Sequence, residues 1–312
     1  MNVAIDAIER AVGQTTIPGV PLYARGKVRD LYDLGSNLLI VASDRLSAFD
    51  VVLPTPIPGR GIVLTQMSRF WFESTRHIVP NHLLTTDVGR YPAPLPEFRD
   101  RLEGRSMLVR RCRRIDFECV VRGYITGSLM KEYKQARFES SGDVVSLHGL
   151  QFPRDLVESQ KLPNPIFTPA TKNDSGHDDN VSFEHMSNHI GDDLAQTLRR
   201  LSVELYQSCA DLAAKRGVII ADTKFEFGLD GDTVTLIDEV GSPDSSRFWD
   251  SKSYRPGEIQ DSFDKQYVRD YLVSIGWDKT PPGPQLPIEV VRQTAAKYRD
   301  VQQRIMGEQT TA

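Results

Sequence analysis

IIADTKFEFGLDGDTVTLIDEVGSPDSSRFW, residues 219–249, decides how this chain is read. It divides into two strands about a tight turn, followed by a polar loop. Asp222, Lys224 and Glu226 recur at every second position, so they share one face of a strand. Ile219, Ala221, Thr223, Phe225 and Phe227 form an apolar row on the other face. The partner run TLIDEVG brings Asp238 and Glu239 up between Ile237 and Val240. Leu229-Asp230-Gly231-Asp232 signals the hairpin, and its length sets the face that Asp238 takes. A two-residue turn at Asp230-Gly231 pairs Asp238 with Thr223 on the apolar row. A three-residue loop, with a bulge at Gly231 or Gly228, moves it beside Asp222, Lys224 and Glu226. The second arrangement is expected, because an unpaired carboxylate on a buried apolar face is costly. Two carboxylates at close range repel unless a cation sits between them. Hard oxygen ligands suit magnesium carried in by nucleotide phosphates. The same spacing also describes a solvated face on which one lysine neutralises its neighbours.

The surrounding chain has 312 residues, enough for two domains and a large core. A net charge of −4 argues against a general nucleic-acid or membrane-surface binder and leaves room for a local basic pocket. Cys112, Cys119 and Cys209 form no CxxC pair, so they read as reduced thiols. The opening MNVAIDAIERAVG is amphipathic and acidic, unlike a signal or transit peptide, and no apolar run reaches membrane-spanning length. A cytoplasmic enzyme is the expectation, with an interaction protein as the rival.

Outward from the hairpin, helices are predicted over residues 4–12, 65–77, 128–135, 192–216, 262–274 and 289–305, the last packed on the outside. Strands are predicted over residues 27–34, 38–43, 106–112 and 117–124. Gly26 lets the backbone approach a phosphate, and Lys27 and Arg29 alternate onto one face where they could clamp it; an exposed basic strand fits the pattern equally. Neither a Walker loop nor GxGxxG is present. Arg122-Gly123-Tyr124-Ile125-Thr126-Gly127-Ser128 combines a cation, two glycines and hydroxyls ahead of a helix, with Ser128 as its N-cap. Residues 147–180 read as a long loop carrying Thr168, Thr171, Lys172, His177, Asp178 and Asp179, polar enough to close on a substrate. His77 and His82 stand apart and read as solvated or core histidines, and Cys209 lies in the apolar stripe of its helix. Lys265 and Arg269 are i,i+4 neighbours that repel unless an anion or acid pairs them. No internal repeat or low-complexity tract interrupts the chain.

GKVRDLY, SDRLSAFD, VRGYITGS, FTPATKNDSGHDDN, IADTKFEFG, IDEVGSPDSSRFW and SFDKQYVRDYL together resemble the motifs of the SAICAR synthetase family, in that family's order, over residues 26–272. The wording is similar to the longer, yeast-like branch. The resemblance implies a ligase of de novo purine synthesis that uses ATP and Mg2+ to join L-aspartate to carboxyaminoimidazole ribonucleotide (CAIR) through an acyl phosphate. It implies an α+β fold in two parts: a smaller antiparallel-sheet domain over residues 1–110 that covers ATP, and a larger α+β domain over residues 111–312 with the metal and substrate sites. ATP would lie in the cleft between them, similar in outline to protein kinases and ATP-grasp enzymes, although HRD and DFG are missing.

By the same resemblance, Gly26, Lys27, Val28 and Arg29 meet the ATP phosphates, and the backbone near Arg111 and Arg113 reads adenine. Glu226 and Asp238 hold the metal. Lys224 and Asp222 are catalytic, between nucleotide and imidazole. Arg122, Ser128, Arg247, Arg269 and the nearby Lys265 hold the ribonucleotide. Ser47 and Asp50 place the amino acid, and Lys172 and Asp178 belong to a closing loop. The implied partners are small molecules, with no nucleic acid or membrane, for a monomer or homodimer. The rivals are a small-molecule kinase, which needs no amine acceptor, and a non-catalytic nucleotide-binding module, which would lack Glu226 and Asp238.

Overall fold

A computed structural model describes residues 10–172 and 179–307. The helix expected over residues 4–12 lies almost wholly outside them, and so do His177 and Asp178. The first part of the chain supplies β1 (Leu22–Arg25), β2 (Arg29–Leu34), β3 (Asn37–Ala42), the short ribbon β4 (Ser47–Ala48) and β5 (Val51–Val52), helix α1 (Arg60–Thr75), β6 (Leu83–Thr85) and β7 (Ser106–Arg110). Strands β1-β2-β3-β7-β6 form one antiparallel sheet in that order.

The second sheet follows at once. β8 (Arg113–Ile125) leads into helix α2 (Gly127–Glu139), then β9 (Val144–Leu147), β10 (Leu150–Pro153), β11 (Gln160–Phe167) and β12 (Ala170–Thr171). Helices α3 (Phe183–Ile190) and α4 (Asp192–Ala214) precede β13 (Val218–Asp230), β14 (Thr233–Ile237) and β15 (Ser246–Asp250), and the chain closes with α5 (Gln266–Ser274) and α6 (Ile288–Met306). The sheet runs β11-β8-β13-β14, with β12 on β8 and β15 on β13. Much of the stretch expected to be a long loop, residues 147–180, is therefore strand: β9 and β10 make a hairpin, while β11 and β12 line the edge of β8. Alternation there is hidden by Pro163 and Pro165, which an edge strand tolerates because it lacks one row of partners.

One apolar core spans both sheets. Helix α4 lays Leu198, Leu201, Leu205 and Cys209 against β13 and β8, meeting Phe225 and Phe227. Each such leucine contributes about 2–3 kcal/mol by leaving water. The same cluster continues through Val63, Met67 and Trp71 of α1 to Ile40 and Val109 of the first sheet, and takes in Tyr298, Val301 and Ile305 of α6. Helix α6 is thus amphipathic, as expected, with one face in the core.

The central hairpin departs from expectation. Asp230 pairs with Thr233 and Glu226 with Ile237, so the loop is the two residues Gly231-Asp232, not a three-residue loop. In this register Ile237, not Asp238, shares the polar face with Glu226. Asp238 reaches that face because β14 ends before it and its backbone turns left-handed, at φ 63°. A second correction concerns the apolar row. The register shifts between Ile220 and Asp222, so Ile220 joins Phe225 in the main core, while Ile219 and Ala221 pack with Tyr124 and Trp249 on the other side.

Candidate active site

β8 and β13 lie side by side, and their polar faces build the floor of the site. Asp222 stands opposite Arg122, and Glu226 opposite Glu118. Two carboxylates facing each other across a ladder are unfavourable alone. Here Lys224 Nζ reaches Glu118 Oε1 at 2.5 Å, and Lys172 pairs with Glu226. The Arg122 guanidinium donates to Asp222 Oδ2 at 3.1 Å and to Thr168 Oγ1 at 2.9 Å, and Arg247 from β15 pairs with the same Asp222 oxygen. Ser128 Oγ lies 3.4 Å from both Arg122 and Asn180. Ser128 is not the N-cap of α2, because the helix begins at Gly127 and Thr126 holds the cap position.

The Asp238 and Glu226 carboxyls lie close enough for each to shift the other's titration. Burial, and then the Asp238 charge, push the Glu226 carboxyl up to about 7. Burial also raises the Asp238 carboxyl, but Arg29, Lys172 and Lys224 outweigh it and hold it at about 2. This is a pair of hard oxygen donors that repel each other and are ringed by cations. Magnesium keeps several waters and binds through one or two carboxylates plus substrate phosphates, so the donor set fits it. Among the described residues no group of three or more acidic, histidine or cysteine side chains could cage a metal alone. Arg29 pairs with Asp238 and places Nη2 2.7 Å from Glu239 Oε1. His82 Nε2 meets the Asp238 carbonyl at 3.2 Å, and burial lowers its pKa to about 4.

Beside this pair lies a cavity of about 250 Å³ lined by Glu118, Arg122, Ser128, Asp222, Lys224 and Arg247, among others. Asp244, Asp264, Lys265 and Arg269 close its far side. A wider hollow of about 880 Å³ between Phe167, Phe183 and Val203 is mostly apolar and lies away from these charges. The cavity with convergent charge is the better site for phosphorylated substrates.

The structure therefore brings together Arg122, Ser128, Asp222, Lys224, Arg247, Lys265 and Arg269 in one cavity, with Lys172, Glu226, Asp238 and Arg29 adjoining. The loop at Gly26, Lys27 and Val28 is fastened from below: Arg45 donates to the carbonyls of Lys27 and Gly26 at 3.0 Å each, and Val28 is buried. Residues 27 and 28 lie outside the strand expected to begin at Lys27. Lys27 pairs with Asp50, which sits with Phe49 in left-handed backbone just after Ser47 and Ala48. Arg111 is turned away from the carboxylates, pairing with Asp33 at 3.0 Å and covering Tyr23, while Arg113 is exposed.

Sequence reasoning gave no site role to Glu118, Glu239, Asp244, Arg60 or Asn180. Glu118 was readable: Glu118, Val120 and Arg122 alternate on β8 as Asp222, Lys224 and Glu226 do on β13. Arg60 and Asp244 meet across 184 residues, and no local pattern announces such a pair.

A family model described as SAICAR synthetase matches residues 22–284. The phosphoribosylaminoimidazole-succinocarboxamide synthase of Thermodesulfovibrio yellowstonii is 50% identical over 294 residues, covering 94% of this chain and 98% of that protein. The SAICAR synthase of Saccharomyces cerevisiae solved with SAICAR superposes with a TM-score of 0.86 at 42% identity, covering 97% of this chain and 100% of that one. A SAICAR synthetase solved with ADP superposes with a TM-score of 0.66 at 25% identity, over 91% of this chain and 97% of that one.

Proposed function

The chain belongs to the SAICAR synthetase family, and from that premise we propose how its residues divide the reaction among themselves. The enzyme is an ATP-using ligase of purine biosynthesis that joins L-aspartate to CAIR and yields SAICAR. A carboxylate is a poor acyl acceptor because it has no good leaving group. In the proposed sequence the γ-phosphoryl of ATP passes to the CAIR carboxylate, giving an acyl phosphate and ADP. The aspartate amine attacks the acyl carbon, and phosphate leaves as the amide forms. Positioning and charge stabilisation carry most of the first step.

Arg122, Ser128, Arg247 and Arg269, with Lys265 beside them, hold the ribonucleotide. Lys224 and Asp222 lie between it and the nucleotide, and the Lys224 ammonium offsets charge on the oxygens that exchange the phosphoryl group. Glu226 and Asp238 would hold Mg2+, which when bound draws charge off the polyphosphate. Gly26, Lys27, Val28 and Arg29 cover the phosphates, with Arg29 exchanging its carboxylate partners for phosphate. The backbone at Arg111 and Arg113 reads adenine. Ser47, Asp50 and Lys172 serve the amino acid and the closing loop. The division into an ATP-covering part to residue 110 and a larger remainder belongs to the same reading, supported by β7 ending at Arg110 and β8 opening at Arg113. A monomer or homodimer acting on small molecules, resident in the cytoplasm, is part of the same proposal.

The observation that carries this reading is the convergence of five cationic side chains of the cavity on the floor that also presents Glu226 and Asp238. The test supplies ATP and CAIR with and without L-aspartate. ADP release at full rate without aspartate would favour a small-molecule kinase; SAICAR formation that depends on aspartate supports the ligase.

A further inference from the structure

Arg60 opens helix α1, and its side chain is 0% exposed. It does not line the cavity. Nη1 donates to the Arg45 carbonyl at 2.6 Å, Nη2 reaches Asp244 Oδ2, and Nε has no hydrogen-bond partner. Tyr298 of α6 covers the guanidinium, with its ring centroid 5.7 Å from Cζ. A guanidinium this deep, with an orphaned donor, is expensive to keep and is a poor choice for stability alone. Its position explains it better. Asp244 does line the cavity, and its other oxygen, Oδ1, lies 3.2 Å from Lys265 Nζ.

The wall of the cavity carries Arg122, Lys224, Arg247, Lys265 and Arg269 against Glu118, Asp222, Asp244 and Asp264. The cationic excess is a single charge. If Asp244 had only Lys265 as a partner, the two would form a neutral pair. We infer that Arg60 is a positioning residue: by holding Asp244 from behind, it leaves the Lys265 charge available to the anion that enters the cavity. The inference rests on the reading that this anion is the ribonucleotide. It gives helices α1 and α6 a part in substrate affinity although neither touches the cavity, and Tyr298 lies beyond the residues matched by the family model.

Steady-state kinetics on the full chain test it, with KM taken separately for CAIR, ATP and aspartate. Arg60→Met should raise the CAIR KM by about tenfold or more, the effect of one charge at short range, with kcat and the ATP KM little changed. Arg60→Lys should recover most of the loss. In Arg60→Met/Asp244→Asn the neutral amide no longer claims Lys265, so the CAIR KM should fall back toward wild type. Arg60→Met/Lys265→Met should be no worse than Lys265→Met. A normal CAIR KM in Arg60→Met, or failure of Asp244→Asn to restore it, overturns the inference. Lys265→Met alone separates the two readings: an unchanged CAIR KM there removes the ribonucleotide assignment itself. If Arg60→Met does not fold by circular dichroism, Asp244→Asn in the unaltered chain decides. Because Arg60 already holds Asp244, a CAIR KM near wild type supports the inference; a fall of about tenfold, which would mean that Asp244 was still neutralising Lys265, or a rise overturns it.

Discussion

Glu226 and Asp238 show how far a side chain's chemistry depends on its neighbours. Both are carboxylates, yet burial and mutual repulsion push Glu226 up to about 7 while Arg29, Lys172 and Lys224 hold Asp238 at about 2. Glu226→Gln and Asp238→Asn preserve shape and remove a charge. Each is expected to lower turnover by about two orders of magnitude or more while leaving the thermal midpoint near wild type. Near-native kcat in either variant would remove the metal assignment. His82 gives a pH-dependent prediction. Its folded pKa of about 4 lies below the ordinary 6.5, because burial disfavours the imidazolium. The unfolded chain therefore binds the proton first as pH falls. The stability present above pH 6.5 is lost between 6.5 and 4, by up to about 3 kcal/mol. Urea midpoints of wild type and His82→Gln, measured across that window, should converge as pH drops. A constant difference would show that His82 does not titrate this way.

Among the elements, the loop from Glu239 to Ser245 is held by its own hydrogen bonds and by α1. Ser242 Oγ donates to Glu239 Oε2 at 2.7 Å, and the Ser242 amide donates to Ser245 Oγ at 3.0 Å. Gly241 seats the loop on α1. Its φ is +58°, its carbonyl accepts from Trp71 Nε1 at 2.9 Å, and a Cβ there would stand 2.3 Å from the indole. Gly241→Ala must strain the backbone and push the loop away from Trp71. It is expected to cost about 2–4 kcal/mol by denaturant titration and to lower activity, since Asp244 moves with the loop. A wild-type midpoint would mean that the loop has slack that this geometry does not show. The hairpin before the loop was legible from Asp230-Gly231-Asp232, but its register was not. The competing loop lengths differ by one residue, and the sheet that arbitrates between them, β8 against β13, joins residues about a hundred positions apart.

Across the whole molecule, Arg29 of the first sheet clasps Asp238 and Glu239, just past β14 of the second, so the two parts meet through ion pairs beside the proposed metal carboxylates. Binding to the folded chain alone raises stability by about 2.7 kcal/mol at a hundredfold excess over Kd. ADP with Mg2+ should therefore raise the thermal midpoint, EDTA should abolish most of that shift, and restored Mg2+ should bring it back along with ADP-forming turnover. An equal shift with EDTA present would place the nucleotide away from Glu226 and Asp238.

The sequence by itself determined the alternation of Asp222, Lys224 and Glu226, the amphipathic helices and the run of motifs that identifies the family. Each of these is written in neighbouring residues, where covalent geometry fixes which side chains share a face. Only the tertiary structure decided that Asp238 reaches Glu226 through a left-handed residue and not through register. It also decided that Glu118 completes the charged floor, that residues 147–180 hold strands, and that Arg60 stands behind Asp244. Those outcomes depend on partners brought together from distant parts of the chain, where packing and the cost of burying unpaired charge choose among arrangements that are locally equivalent.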